Sequence, residues 1–236
     1  MTAEAGANIE TVLLTLGTIA FVGTHLAMSH PLRMRLVGQL GEAGFSLLYS
    51  LVAFATLGWM IWAYRLADSW PLWTAPEWTW VAASLVMLVA AILLVGSLIR
   101  NPAFPHPGAA KLASAPARGV YAITRHPMNW SFILWALTHI AVYGSVRNLI
   151  VAVGILVLSV AGSIGQDRKK RALLTNWGDW QARTSFLPFA ALLSGRAKWS
   201  AANPGWIALL GGLVLWLAIT SLHAPLASLP GWLGLI

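Results

Sequence analysis

Six apolar stretches constrain this chain more than any other feature, each near the ~20 residues that cross ~30 Å of hydrocarbon as a helix. They run Ile9–Met28, Gly44–Tyr64, Trp78–Ile99, Met128–Tyr143, Asn148–Gly165 and Pro204–Leu222. The chain therefore reads as all-α: a polytopic integral membrane bundle of about six transmembrane helices, one domain over residues 1–236. Composition agrees, because 58% of the residues are hydrophobic and 9% are charged. A soluble domain carries roughly 25% charged residues. The fourth and fifth stretches are the shortest and meet at Gly144-Ser145-Val146-Arg147, so they are predicted to form a tight helical hairpin.

Charge placement sets the expected orientation. With six spans, the loops joining 1–2, 3–4 and 5–6 share one side. Those loops carry Arg33, Arg35, Arg100, Lys111, Arg118, Arg125, the run Arg168-Lys169-Lys170-Arg171, Arg183, Arg196 and Lys198, or 13 of the 15 Lys and Arg. Arg65 and Arg147 fall on the other side, with Glu4, Glu10, Asp68 and Glu77. The positive-inside rule then places the basic loops in the cytoplasm and both termini outside, as for a multi-pass protein of a bacterial inner membrane. The formal net charge of +8 is accounted for by these loops, so nucleic acid is not an expected partner. No Lys or Arg precedes Arg33, which is the wrong charge for a cleaved signal peptide, and the first span is predicted to be retained.

Fourteen tryptophans fit a membrane setting. Trp59, Trp62, Trp70, Trp73, Trp78 and Trp80 crowd the outer end of the second and third spans, where indoles favour headgroup depth. Trp177, Trp180 and Trp199, together with Arg168-Lys169-Lys170-Arg171, are predicted to form an amphipathic segment on an anionic leaflet. Glycines within spans, such as Gly154 and Gly211-Gly212, read as sites of close helix packing.

Several chemistries are excluded or unsupported. Without cysteine there is no disulfide, thiolate nucleophile, iron–sulfur cluster or thiolate-ligated haem. No Gly-rich phosphate loop and no in-span carboxylate pair is present for phosphoryl transfer or hydrolysis. The span interiors hold no Asp, Glu or Lys that could relay ions. Asp167 and Asp179 read as solvated partners of neighbouring Arg and Lys.

Histidine carries the chemistry that remains. The loop from Arg100 to Pro127 contains Asn101-Pro102 and Pro105-His106-Pro107 before Arg125-His126-Pro127. Arg125, His126 and the amide donors of the helix beginning there could form an anion or cofactor contact, or a plain interfacial anchor. His25 lies in the first span and His139 near the middle of the fourth, while His30 and His223 lie at span edges. On one continuous helix His126 and His139 would be roughly 140° apart, too far round to share a metal. His25 and His139 come from different helices, and two such imidazoles suit bis-histidine haem iron better than structural zinc. Their depths differ by roughly 9 Å. The alternative is that each histidine hydrogen-bonds a neighbouring helix.

The segment Arg125-His126-Pro127-Met128-Asn129-Trp130, continued by Leu134-Trp135-Ala136-Leu137-Thr138-His139 and Gly144, resembles the signature of the NnrU family. The resemblance extends to His25, Leu48-Tyr49-Ser50 and Asn101-Pro102, and so covers most of the chain. It implies an association with nitrite and nitric oxide reduction in denitrification. It also implies kinship with 15-cis-zeta-carotene isomerase, a membrane enzyme that uses haem b to isomerise a polyene double bond. By motif, the two haem ligands of that enzyme map onto His25 and His139, and His126 matches a further family histidine. A hydrophobic small molecule is then the expected substrate, alongside the lipid bilayer as partner.

A second resemblance competes. Gly119-Val120-Tyr121-Ala122-Ile123-Thr124-Arg125-His126-Pro127 is similar to the motif of membrane methyltransferases acting on isoprenylcysteine or phospholipid. It implies S-adenosylmethionine held by Arg125 and His126 with a later acidic pair, where this chain has Gln166-Asp167. A third expectation is a non-catalytic accessory protein acting through its basic face.

Overall fold

The computed structural model describes residues 9–104 and 108–223. Glu4 and the segment Pro105-His106-Pro107, singled out above, lie outside the described residues. In chain order the elements are α1 (Ile9–Ser29), α2 (Arg33–Leu66), β1 (Pro71–Thr74), α3 (Glu77–Ser97), α4 (Ala109–Ser114) and α5 (Val120–Ile123). They continue with α6 (Pro127–Val142), β2 (Tyr143–Ser145), α7 (Val146–Leu173), α8 (Trp177–Arg183), α9 (Ala190–Leu193), a 3-10 turn (Trp199–Ala202) and α10 (Trp206–His223).

The protein is an all-α membrane bundle, and every apolar stretch is helical. Among the described residues, α1, α2, α3, α7 and α10 are long and apolar enough to cross a membrane. The fourth stretch, α6, has 16 residues. At 1.5 Å per residue it reaches ~24 Å, short of the hydrocarbon thickness. Its length is set at both ends by local chemistry. Pro127 has no N–H to donate and fits the first turn of a helix, while Tyr143 leaves the helix for a strand.

Two compact units divide the chain: residues up to Ala75 with His139–Gly165, and Pro76–Thr138 with Gln166 onward. In the first, Leu14, Phe21, Met60, Ala63 and Ala67 form the core. A Cβ on Gly17 would stand 3.3 Å from the Met60 Cα, so this glycine sets the approach of α1 to α2. The tight connection predicted at Gly144–Arg147 is the three-residue strand β2 between α6 and α7, and it pairs antiparallel with β1, with Trp73 opposite Gly144 and Thr74 opposite Tyr143. The Trp73 indole covers Gly144 so closely that any side chain there would collide with the ring. Its Nε1–H donates to the Ala141 carbonyl at 3.2 Å. The sequence hides this pairing because its partners lie about seventy residues apart and each strand is too short to show alternation.

Within α2, Gly41 breaks the helix with φ +69° and ψ 171°, separating Arg33–Leu40 from the apolar run that follows. That conformation is essentially reserved for glycine, and a non-glycine residue there costs ~1–3 kcal/mol. Open space surrounds the missing Cβ, so backbone strain is isolated from packing. Gly41→Ala is expected to lower stability by about that amount, read as an earlier midpoint in SDS unfolding; an unchanged midpoint would refute the strain.

In the second unit α3 and α10 meet through glycine. Gly211 rests on Val95 and Gly212 on the backbone of Ile92, while Gly96 meets Val120 and Ala208. A second core gathers Leu93, Ala113, Val120, Tyr121, Trp177 and Trp180. This corrects the interfacial reading of two tryptophans: Trp177 is 0% and Trp180 3% exposed, whereas Trp199 stays exposed and stacks on Phe189. The burial has a cause, since α8 is tied to α4. Asn176 Nδ2 donates to the Ala110 carbonyl and Arg183 Nη2 to the Ala113 carbonyl at 2.7 Å. Tyr121 donates its hydroxyl to the Ser97 carbonyl at 2.7 Å, and burial pushes the phenol above its ordinary range.

Candidate functional site

Each unit carries one cluster of the residues singled out in the sequence. In the second unit, Thr124 is extended, at φ −152° and ψ 149°, and with Arg125 leads from α5 to His126 and Pro127. The segment Ser185–Phe189 clamps them there. Arg125 N–H donates to the Ser185 carbonyl at 2.9 Å, and Thr124 Oγ1 donates to the Phe186 carbonyl at 2.8 Å. The same carbonyl accepts from Trp130 Nε1 at 2.8 Å, which fixes the first turn of α6.

These contacts hold Arg125 and His126 against α7. Arg125 Nε and Nη2 reach Asp167 Oδ2 at 2.8 and 2.7 Å. Trp177 Nε1 donates to Asp167 Oδ1 at 3.2 Å. His126 is 2% exposed, with Nδ1 3.0 Å from Gln166 Oε1 and Nε2 3.2 Å from Asp167 Oδ1. Although Nε2 is that near, its alignment falls short of a hydrogen bond. The Phe186 ring closes the cluster edge-on to His126, with the Arg125 guanidinium 5.9 Å from its centroid.

Asp167 was expected to be a solvated partner of its neighbours. It is instead 9% exposed and sits at the centre of a buried network. The anion that meets Arg125 and His126 is thus the protein's own carboxylate. Two guanidinium nitrogens on one buried carboxylate oxygen, with Trp177 on the other, fix the geometry because both ions have left water. Such a network is suited to joining α6 to the end of α7, and to presenting His126 in one orientation.

In the first unit, His25 Nδ1 stands 2.8 Å from the Phe21 carbonyl one turn earlier, the contact of a ring that donates from Nδ1. That tautomer leaves Nε2 with its lone pair available. The ring packs between Phe21, at a centroid distance of 4.2 Å, and Tyr49 at 5.4 Å. His139 lies near the C-terminal end of α6, where its carbonyl accepts from Asn148 Nδ2 at 2.8 Å. Asn148 also bonds the Tyr143 carbonyl, so one amide caps the carbonyls that α6 leaves open. His25 and His139 therefore belong to one compact unit, while Arg125 and His126 belong to the other.

Three contributors escaped sequence reasoning: Asn148, His30, whose ring lies flush on Gly165, and Trp177 as a donor to Asp167. A buried-donor role for Trp177 had one weak signal, its ten-residue spacing from Asp167. The other two had none.

A family model described as NnrU protein matches residues 13–230. Over 84 residues, 34% of the chain, it is 33% identical to 15-cis-zeta-carotene isomerase, chloroplastic, from Zea mays. That stretch spans 22% of the maize protein. No solved structure matches.

Proposed function

Because the chain belongs to the NnrU family, we propose that it is a haem-b protein of a bacterial inner membrane, in which His25 and His139 would hold the iron, with an isomerase-like reaction on a hydrophobic polyene. Its physiological setting is then nitrite and nitric oxide metabolism, as the family resemblance implies. The observation that carries the proposal is the His25 geometry. Haem-ligating imidazoles characteristically donate one ring N–H to a carbonyl, which fixes the tautomer and raises the basicity of the other nitrogen. Phe21 accepts that hydrogen bond here, and the Phe21 and Tyr49 rings pack against the imidazole. The donor set suits a bis-histidine haem, since one unit holds both imidazoles and the chain has no cysteine. When bound, haem iron would supply a metal centre able to interact with a double bond and lower its rotation barrier. The chain's own contribution is to hold His25 in one tautomer, to anchor the end of α6 beside His139 through Asn148, and to surround His25 with aromatic rings.

The test is the absorption spectrum of the detergent-purified protein, oxidised and then dithionite-reduced, beside His25→Ala and His139→Ala. A Soret band with sharp reduced α and β bands, lost or shifted in both variants at unchanged helical content, is the expected result. A wild type still colourless after haem reconstitution would overturn the reading. If that colourless protein bound S-adenosylmethionine and lost it on Arg125→Ala, a methyltransferase-like function would replace it.

A further inference from the structure

We propose that a cavity at the membrane-boundary end of α3 and α10 binds the phosphate of an anionic phospholipid. The cavity has a volume of about 420 Å³ and lies wholly within the second unit, in the size range of small-molecule sites. Its wall contains Gly96 near the end of α3 and Pro204 just before α10. Both helices are long and apolar enough to cross a membrane, so the cavity opens where their apolar runs stop, at headgroup depth.

Two exposed arginines lie at this cavity. Arg100 and Arg118 line the cavity, and neither guanidinium has a hydrogen bond, ion pair or ring contact among the described residues. Arg100 is held in the left-handed region at φ +52°, uncommon for a non-glycine residue and a mark of a position constrained by its surroundings. Trp180 also lines the cavity, is 3% exposed, and its buried indole N–H has no acceptor. Ile99, Leu112 and Val120 supply the apolar remainder of the wall. Two arginines beside an apolar surface match a phosphate that carries an acyl chain. A carbonyl or hydroxyl would leave both guanidinium charges unanswered. A basic pocket between spanning helices at the interface is where lipid headgroups are recognised.

The test uses the full chain in detergent, titrated with dioleoyl-phosphatidylglycerol or dioleoyl-phosphatidylcholine and read by native mass spectrometry. Phosphatidylglycerol is expected to bind about ten-fold or more tightly than phosphatidylcholine, a preference lost in Arg100→Gln/Arg118→Gln. The charge-matched control Arg35→Gln/Arg168→Gln should retain it, since those side chains do not line the cavity. Ala115→Phe, which fills the cavity without altering charge, should abolish it. Equal binding of the two lipids, equal losses in the control, or unaltered binding in the filled variant would overturn the proposal. Inorganic phosphate bound at the two arginines without any lipid preference would also overturn it, leaving a free-phosphate site.

Discussion

Asp167→Ala is expected to destabilise the protein by about 3–5 kcal/mol, the usual cost of stranding the partner of a buried ion pair. The change removes the acceptor of Arg125 Nε and Nη2 and of Trp177 Nε1, and the oxygen facing His126 Nε2. Arg125 would then be a cation at 13% side-chain exposure without the carboxylate it meets in the wild type. The check is an SDS titration followed by far-UV circular dichroism. The double variant Arg125→Leu/Asp167→Leu separates ion pairing from packing. Removing both charges leaves no uncompensated ion, so it should lie closer to wild type than Asp167→Ala does. If the two changes were additive, the pair would have no special role.

Gly212→Val should act through a different mechanism and with comparable effect. A Cβ at Gly212 would meet the Ile92 Cα at 2.7 Å and its backbone nitrogen at 2.8 Å. Backbone cannot rotate away as a side chain can, so α3 and α10 must separate. Overpacking of this kind costs roughly 1–3 kcal/mol, and a valine adds atoms beyond the first clash. The same SDS titration reads the loss. Gly211→Ala should be milder, since its obstacle is the Val95 Cγ1 methyl group, a side-chain atom that can shift. Gly162→Ala, with nothing near its Cβ position, should be neutral or stabilising through helix propensity. An inverted order among these three would refute glycine-set packing of α3 on α10.

The candidate site was legible in part. Arg125 and His126 stood out because charged and pre-proline residues at the mouth of an apolar helix are rare. The Gln166-Asp167 pair was noticed only through its register with another family's motif, and its burial was not expected. Asp167 is followed by Arg168-Lys169-Lys170-Arg171, and in sequence such a run looks like a solvated face. Helical geometry explains the difference: one residue of the turn faces Arg125 and Trp177 while Arg168, a neighbour in sequence, points to solvent. Tryptophan misled for a related reason. Indoles beside basic residues fit both an interfacial anchor and a small core, and only the tie of α8 to α4 distinguishes them.

What the residues alone determined was the membrane class and the place of each apolar helix, because a run of ~20 apolar residues has few other stable fates. Family membership was likewise readable in the segment from Arg125 to His139. Tertiary structure decided what lies next to what. The Asp167 network, the β1–β2 pair and the donors around the α3–α10 cavity join residues tens of positions apart. Local periodicity carries no record of such partners. Burial then turned ordinary polar side chains into fixed ones, because in a low-dielectric setting a polar group must find a partner or bear the cost of lacking one.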